Sequence, residues 1–193
     1  MYAGRVNRII LKLTIDIQVL DILQSGTDII VFSAHPSLLA GSGVSGIVHK
    51  AAGPELELFA KSLGPIAPGE SVITPAFNLP SKYIIHTVCP RYIYGTPEEK
   101  HGLAMAYRSV LSFKDEAPNA SSIAFVSLGT GVYRWPLDVA AKIAVTELSK
   151  SKFETTLMCV ADNQTKAAYD KAVEIFFDVM RKGFGHARRT TQI

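Results

Sequence analysis

Two cysteines, one tryptophan and no apolar run of membrane-spanning length set the first limits on this 193-residue chain. Cys89 and Cys159 stand in apolar, strand-like runs without C-x-x-C spacing. A disulfide framework or a thiolate zinc site is therefore not expected; buried free thiols in a reducing cytoplasm are. The first residues hold no uninterrupted apolar segment followed by a small-residue cleavage site, so no secretory leader is expected. An excess of one charge is missing too. The formal net charge is +3, and Arg181, Lys182, Arg188 and Arg189 in residues 181–193 face no acid, leaving 16 basic against 17 acidic side chains in residues 1–180. Charge thus gives no reason to read the body of the chain as a nucleic-acid binder, and any such affinity is expected to be weak and confined to the tail.

What is present is an ordinary globular composition, 48% hydrophobic and 19% charged. That suits one domain over residues 1–180, burying about 70% of its unfolded surface, with residues 181–193 as a basic, flexible tail. Apolar runs at Ile29–Phe32, Tyr83–Val88, Ser122–Leu128 and Phe153–Val160 read as strands, with a short one at Val72–Thr74. The imperfect alternation of Val6–Val19 reads as one edge strand or two short ones. Helices are expected over Ile47–Ala52, Pro54–Leu63, Pro97–Phe113, Pro136–Lys150 and from Asn163, as N-cap, to about Met180, with fraying at Gly183 and Gly185. Strands alternating with helices predict an α/β three-layer sandwich around a central mixed sheet.

The segment Asp28–Leu56, DIIVFSAHPSLLAGSGVSGIVHKAAGPEL, organises the chain. A strand buried on both faces breaks at Ser33-Ala34-His35-Pro36 and passes through Gly41-Ser42-Gly43-Val44-Ser45-Gly46 into a helix. Glycine turns of this kind bring backbone N–H groups to a phosphate, and a helix start adds partial positive charge. The spacing fits neither the Walker loop nor the dinucleotide fingerprint. A second glycine turn, Gly129-Thr130-Gly131-Val132, also follows a strand. Ligands of open α/β sheets sit beyond strand carboxyl ends, so two such loops can face one cleft and hold two phosphates.

The longer strings resemble the macrodomain family, whose signature runs roughly VNAAN-x-x-L-x-G-G-G-G-V-D-G-x-I-H-x-A-A-G. Leu39, Gly41, Gly43, Val44, Gly46, His49, Ala51, Ala52 and Gly53 fall in register with it. Asn78–Pro90 is similar to the family's LPAKYVIHTVGP, and Gly129–Pro136 to its STGVYGYP loop. The similarity spans roughly residues 20–175 and is nearest to the small bacterial and mitochondrial ADP-ribosyl hydrolases. It implies a macrodomain-like fold that binds ADP-ribose, free or on ADP-ribosylated protein, without metal, cofactor or membrane. Implied ligand contacts are Asp21 and Ile22 at the adenine, Ser33, Gly41, Ser42, Gly43 and Val44 on the first loop, and Gly129, Thr130, Gly131, Val132 and Tyr133 on the second. Taken alone, Asp21 reads as the cap of a short turn and Tyr133 as core packing.

The departures fall on the hydrolytic positions. The family's second Asn, which bonds the distal ribose, is His35; its Asp, which positions or activates water, is Ser45. Serine cannot supply a carboxylate's charge. His35 is either a neutral substitute or a replacement base. His49 and His86 match family positions as structural groups or catalysts. Three functions stand: an ADP-ribose binder with weak or absent hydrolysis; an active hydrolase acting on ADP-ribosylated Asp/Glu or O-acetyl-ADP-ribose by substrate-assisted water attack; and a drifted RNA- or protein-interaction module.

Overall fold

The protein is described by a computed structural model covering residues 15–187, with side chains through Lys182. Its sheet has the order β1-β6-β5-β2-β4-β3, comprising β1 (Ile15–Val19), β2 (Ile29–Ser33), β3 (Ser71–Pro75), β4 (Tyr83–Thr87), β5 (Ser122–Val126) and β6 (Thr155–Val160). Among the described residues five strands run parallel and only β3, at one edge, pairs antiparallel. The expected mixed α/β sheet is thus observed. The part of the predicted first strand before Ile15 lies outside the described residues.

The central strand shows why a continuous apolar run was needed. Ile29 and Val31 point into one core with Ile123, Phe125, Leu103, Tyr107 and Tyr169; Ile30 and Phe32 point into another with Val48, Leu56 and Ile84. Side-chain alternation buries both faces, so β2 is apolar from Ile29 through Phe32 and turns polar only at its last residue, Ser33. Helices α1 (Val44–Ala52) and α2 (Pro54–Lys61) cover the second core. Helices α3 (Pro97–Ser112), α4 (Leu137–Leu148) and α5 (Asn163–Ala187) cover the first.

Several predicted boundaries move. Helix α1 begins at Val44 rather than Ile47, because Gly43, at φ 66°, supplies the turn that starts it. Strand β6 begins at Thr155, not Phe153, whose amide instead donates to Ser151 Oγ. Asn163 is the first helical residue, not the cap: the Asp162 carboxylate accepts from the Thr165 amide at 2.7 Å. Helix α5 continues through Gly183 and Gly185 to Ala187 instead of ending near Met180. Residues 188–193 lie outside the described part.

Candidate functional site

Because β1, β6, β5, β2 and β4 are parallel, their carboxyl ends lie along one edge. Three adjoining cavities open there, of about 360, 200 and 300 Å3. The first and second share Val44, Val126, Ser127 and Gly131; the second and third share Val132 and Tyr133.

The middle cavity is built by the glycine loops. Leaving β2, the chain bends through Leu38, buried and at φ 58°, then reaches the left-handed Gly43, where α1 starts without a side-chain cap. The first N–H groups of a helix have no intrahelical acceptor, so they remain as donors backed by the helix dipole. Ser42, Gly43, Val44 and Ser45 line the cavity beside them. Gly46 is required for close packing: a Cβ there would lie 2.4 Å from the Gly41 carbonyl oxygen. Gly41 itself lines none of the three cavities; its N–H donates to Ser45 Oγ at 3.3 Å.

The second loop is rigid for different reasons. Gly129 sits at φ 82° against Trp135, whose amide donates to the Gly129 carbonyl at 3.1 Å. Thr130 turns its hydroxyl back to the Ser127 carbonyl (2.9 Å), so it offers the cavity backbone rather than side chain. Gly131 is open, with nothing within 4 Å of a built Cβ. Tyr133 ties the loops together, its hydroxyl donating to the Ala34 carbonyl at 3.1 Å.

The largest of the three cavities lies between the ends of β1, β5 and β6. Asp21 lies exposed on its rim, one carboxylate oxygen accepting from the Leu23 amide at 3.0 Å and capping the short 3-10 turn Ile22–Gln24. The turn-cap reading of Asp21 therefore holds, and its other oxygen meets no protein donor among the described residues. Ile22, Thr130 and Gly131 also line this cavity. Sequence reasoning missed part of its lining: Val126 and Ser127 at the end of β5, Val160 and Ala161 at the end of β6, and Thr165 in the first turn of α5. The signal was their position at strand carboxyl ends.

His35 does not line the middle cavity; it is exposed in the third, with Arg91, Val132 and Tyr133. Its Nδ1 accepts from the Ser37 amide (3.2 Å) and lies 2.8 Å from Ser37 Oγ. Accepting an amide uses the Nδ1 lone pair and leaves Nε2 as an N–H donor. Ser45 is buried at the second residue of α1. His49 and His86 line none of these cavities. They form a buried pair with ring centroids 5.8 Å apart, flanked by Phe32, with His86 Nε2 3.2 Å from Thr74 Oγ1. Burial, with His49 beside it, depresses the His86 pKa to about 3, and burial likewise lowers that of His49. Burial pushes both cysteine thiols up to about 12.

The model of the Macro domain family matches residues 31–144, which contain both loops. The chain belongs to this family. It is 40% identical over 158 residues to an O-acetyl-ADP-ribose deacetylase of Klebsiella pneumoniae, covering 77% of this chain and 90% of the relative. The Oceanobacillus iheyensis macrodomain with ADP superposes with a TM-score of 0.77 at 34% identity, over 84% of this chain and 90% of the other. The Trypanosoma brucei macrodomain in complex with ADP-ribose gives 0.75 at 29% identity, over 83% and 69%. In this macrodomain no helix among the described residues is long and apolar enough to cross a membrane. No group of three or more His, Cys, Asp or Glu among them could hold a metal ion.

Proposed function

We propose that this macrodomain binds ADP-ribose, free or attached to protein, and hydrolyses it from its carrier slowly or not at all. The observation that carries the binding is the uncapped start of α1 facing the open Gly131 turn across one cavity, flanked by Asp21 on one side and Tyr133 on the other. Adenine sits in the largest cavity with its amino group toward the Asp21 carboxylate. The diphosphate lies on the amides of Ser42–Ser45 and Gly129–Gly131, and the distal ribose packs on Tyr133. Micromolar affinity, about −8 kcal/mol, is the expected scale.

The weak hydrolysis follows from His35 and Ser45. With Nδ1 occupied by the Ser37 amide, His35 has a donor for a ribose hydroxyl but no free lone pair for a base. Ser45 bonds the Gly41 amide and carries no charge. Turnover then rests on the substrate's own phosphate to activate water. The likeness to a protein named O-acetyl-ADP-ribose deacetylase favours the second reading, an active hydrolase on acylated ADP-ribose or ADP-ribosylated Asp/Glu. Calorimetry with ADP-ribose followed by single-turnover rates on both substrate types tests the pair. No heat at millimolar ADP-ribose removes the binding reading; fast wild-type turnover replaces the first reading with the second.

A further inference from the structure

The third cavity lies beyond Tyr133, on the side away from Asp21, where anything attached to the distal ribose must emerge if ADP-ribose binds as proposed above. Its polar lining is donor-rich. Arg91 is exposed and within 4.0 Å of no carboxylate among the described residues. His35 presents Nε2–H, since Nδ1 is held by Ser37. Tyr133 spends its hydroxyl on the Ala34 carbonyl, and the Cys89 thiol, raised by burial to about 12, contributes no thiolate. The carboxylates of the adjoining loops are engaged elsewhere: Glu70 accepts from the Ala67 amide at 2.7 Å, and Glu99 accepts from the amides of Ile93, Tyr94, Gly95 and Thr96.

That engagement of Glu99 has a second effect. It fixes the loop carrying Arg91 while leaving Ile93 62% and Tyr94 85% exposed. The same loop is docked on the second glycine turn, with Trp135 Nε1 donating to the Pro90 carbonyl (2.8 Å), the Tyr92 amide donating to the Tyr133 carbonyl (2.9 Å), and the Tyr92 and Trp135 rings packed edge to face. A free cation and two bare apolar side chains on a pre-ordered loop form a surface whose ordering entropy is already spent before a partner arrives.

We infer that Arg91, Ile93 and Tyr94 form a docking subsite for the polypeptide that carries the ADP-ribose, with Arg91 and His35 taking the carboxylate of an acidic residue beside the modified one. The occupant is an acidic peptide segment, because the cavity offers one cation, Arg91, and the His35 donor, and no carboxylate lines it. The subsite depends on the ADP-ribose reading for its orientation, but not for its chemistry.

The test uses two synthetic peptides carrying one ADP-ribose through a hydrolysis-resistant aminooxy linkage, one flanked by glutamates and one by alanines. Dissociation constants for both, and for free ADP-ribose, are measured at low and high salt with wild type, Arg91→Ala, Arg91→Glu and Tyr94→Ala. The wild type should prefer the acidic peptide by about three- to tenfold at low salt, with the preference shrinking at high salt. Arg91→Ala should erase the preference and Arg91→Glu reverse it, with free ADP-ribose unchanged within about twofold in every variant. Tyr94→Ala should weaken both peptides alike. Equal wild-type affinity for the two peptides overturns the inference while leaving ADP-ribose binding intact, as does a loss in Arg91→Ala that falls equally on free ADP-ribose. Failure of free ADP-ribose to bind the wild type overturns the proposed function and this subsite with it.

Discussion

Lowering the pH from 6.5 to 4.5 should destabilise this protein through His86 before any carboxylate takes part. His86 is fully buried, with Nδ1 unpartnered and Nε2 against a threonine hydroxyl, so its charged form has no counter-ion in the fold. Its pKa is about 3 in the native state against 6.5 as an ordinary histidine. The sign follows directly: below 6.5 the unfolded chain takes up a proton that the native chain refuses. Stability is therefore complete above pH 6.5 and lost as pH falls toward 3. The slope grows from half its limit at pH 6.5 toward the limiting value of about 1.36 kcal/mol per pH unit below it, so the loss between pH 6.5 and 4.5 from this one residue is roughly 2 kcal/mol. For a chain of this size that lowers Tm by roughly 4–8 °C. His49, also depressed by burial, acts in the same direction. Asp28, held low chiefly by Lys82, and Glu147, held low chiefly by Arg108, have the same sign, but their windows lie at and below the ordinary carboxylate range. Urea unfolding at half-unit steps of pH, on wild type and His86→Leu, isolates the effect. The variant loses the Thr74 contact and starts less stable, but its slope in this window should be shallower by about 1 kcal/mol per unit on average. Equal slopes in the two proteins would refute the assignment.

Gly131→Glu should fold normally, because a built Cβ there meets nothing within 4 Å, and should abolish ADP-ribose binding by placing an anion against the diphosphate; equal melting temperatures and a flat calorimetric trace check both halves. Gly46→Ala should instead lower stability and affinity together, since its Cβ would collide with the Gly41 carbonyl; a variant with wild-type melting counts against the tight loop packing. Asp21→Ala should weaken binding and reduce discrimination between ADP-ribose and its guanine analogue, measured by competition. Removing residues 188–193, which takes away Arg188 and Arg189, should reduce weak, salt-sensitive retention on nucleic acid and leave ADP-ribose affinity unchanged.

Strands and the two loops were legible because their sequences leave few alternatives. An apolar β2 with residues alternating into two cores cannot lie anywhere but mid-sheet, and Gly43 and Gly129 occupy left-handed backbone that other residues adopt at a cost. Boundaries were less legible where neighbouring residues compete for one role. Asp162 and Asn163 both cap helices well, and only the geometry showed the aspartate taking the Thr165 amide. Gly183 and Gly185 read as a stop, yet α5 runs past both. Gly46 read as loop, whereas it is helical and glycine for the sake of a passing carbonyl. The Arg91 cavity was invisible in the sequence because it joins residues from four loops that no periodicity connects.

The division between what is retained and what has drifted has a physical basis. In the binding mode proposed above, the diphosphate is held by amides whose positions are set by glycine φ values, by Trp135 behind Gly129 and by the Tyr133–Ala34 bond, so Ser42 can stand where the family carries glycine without removing a donor. Hydrolysis rests on two side chains at single positions, where no backbone group can substitute for a lost carboxylate or amide. On the proposed reading, ground-state affinity should survive sequence change that the rate does not, since misplacing the attacking water or ribose by about 1 Å can cost about a hundredfold. Restoring the pair should separate the two. Ser45 occupies the second residue of α1, where the helix dipole favours an aspartate, and His35 lies on an exposed turn able to accept asparagine. His35→Asn with Ser45→Asp should raise single-turnover rate well beyond any gain in affinity. If affinity and rate rise together, or the rate does not move, the argument that these two positions govern chemistry rather than binding fails.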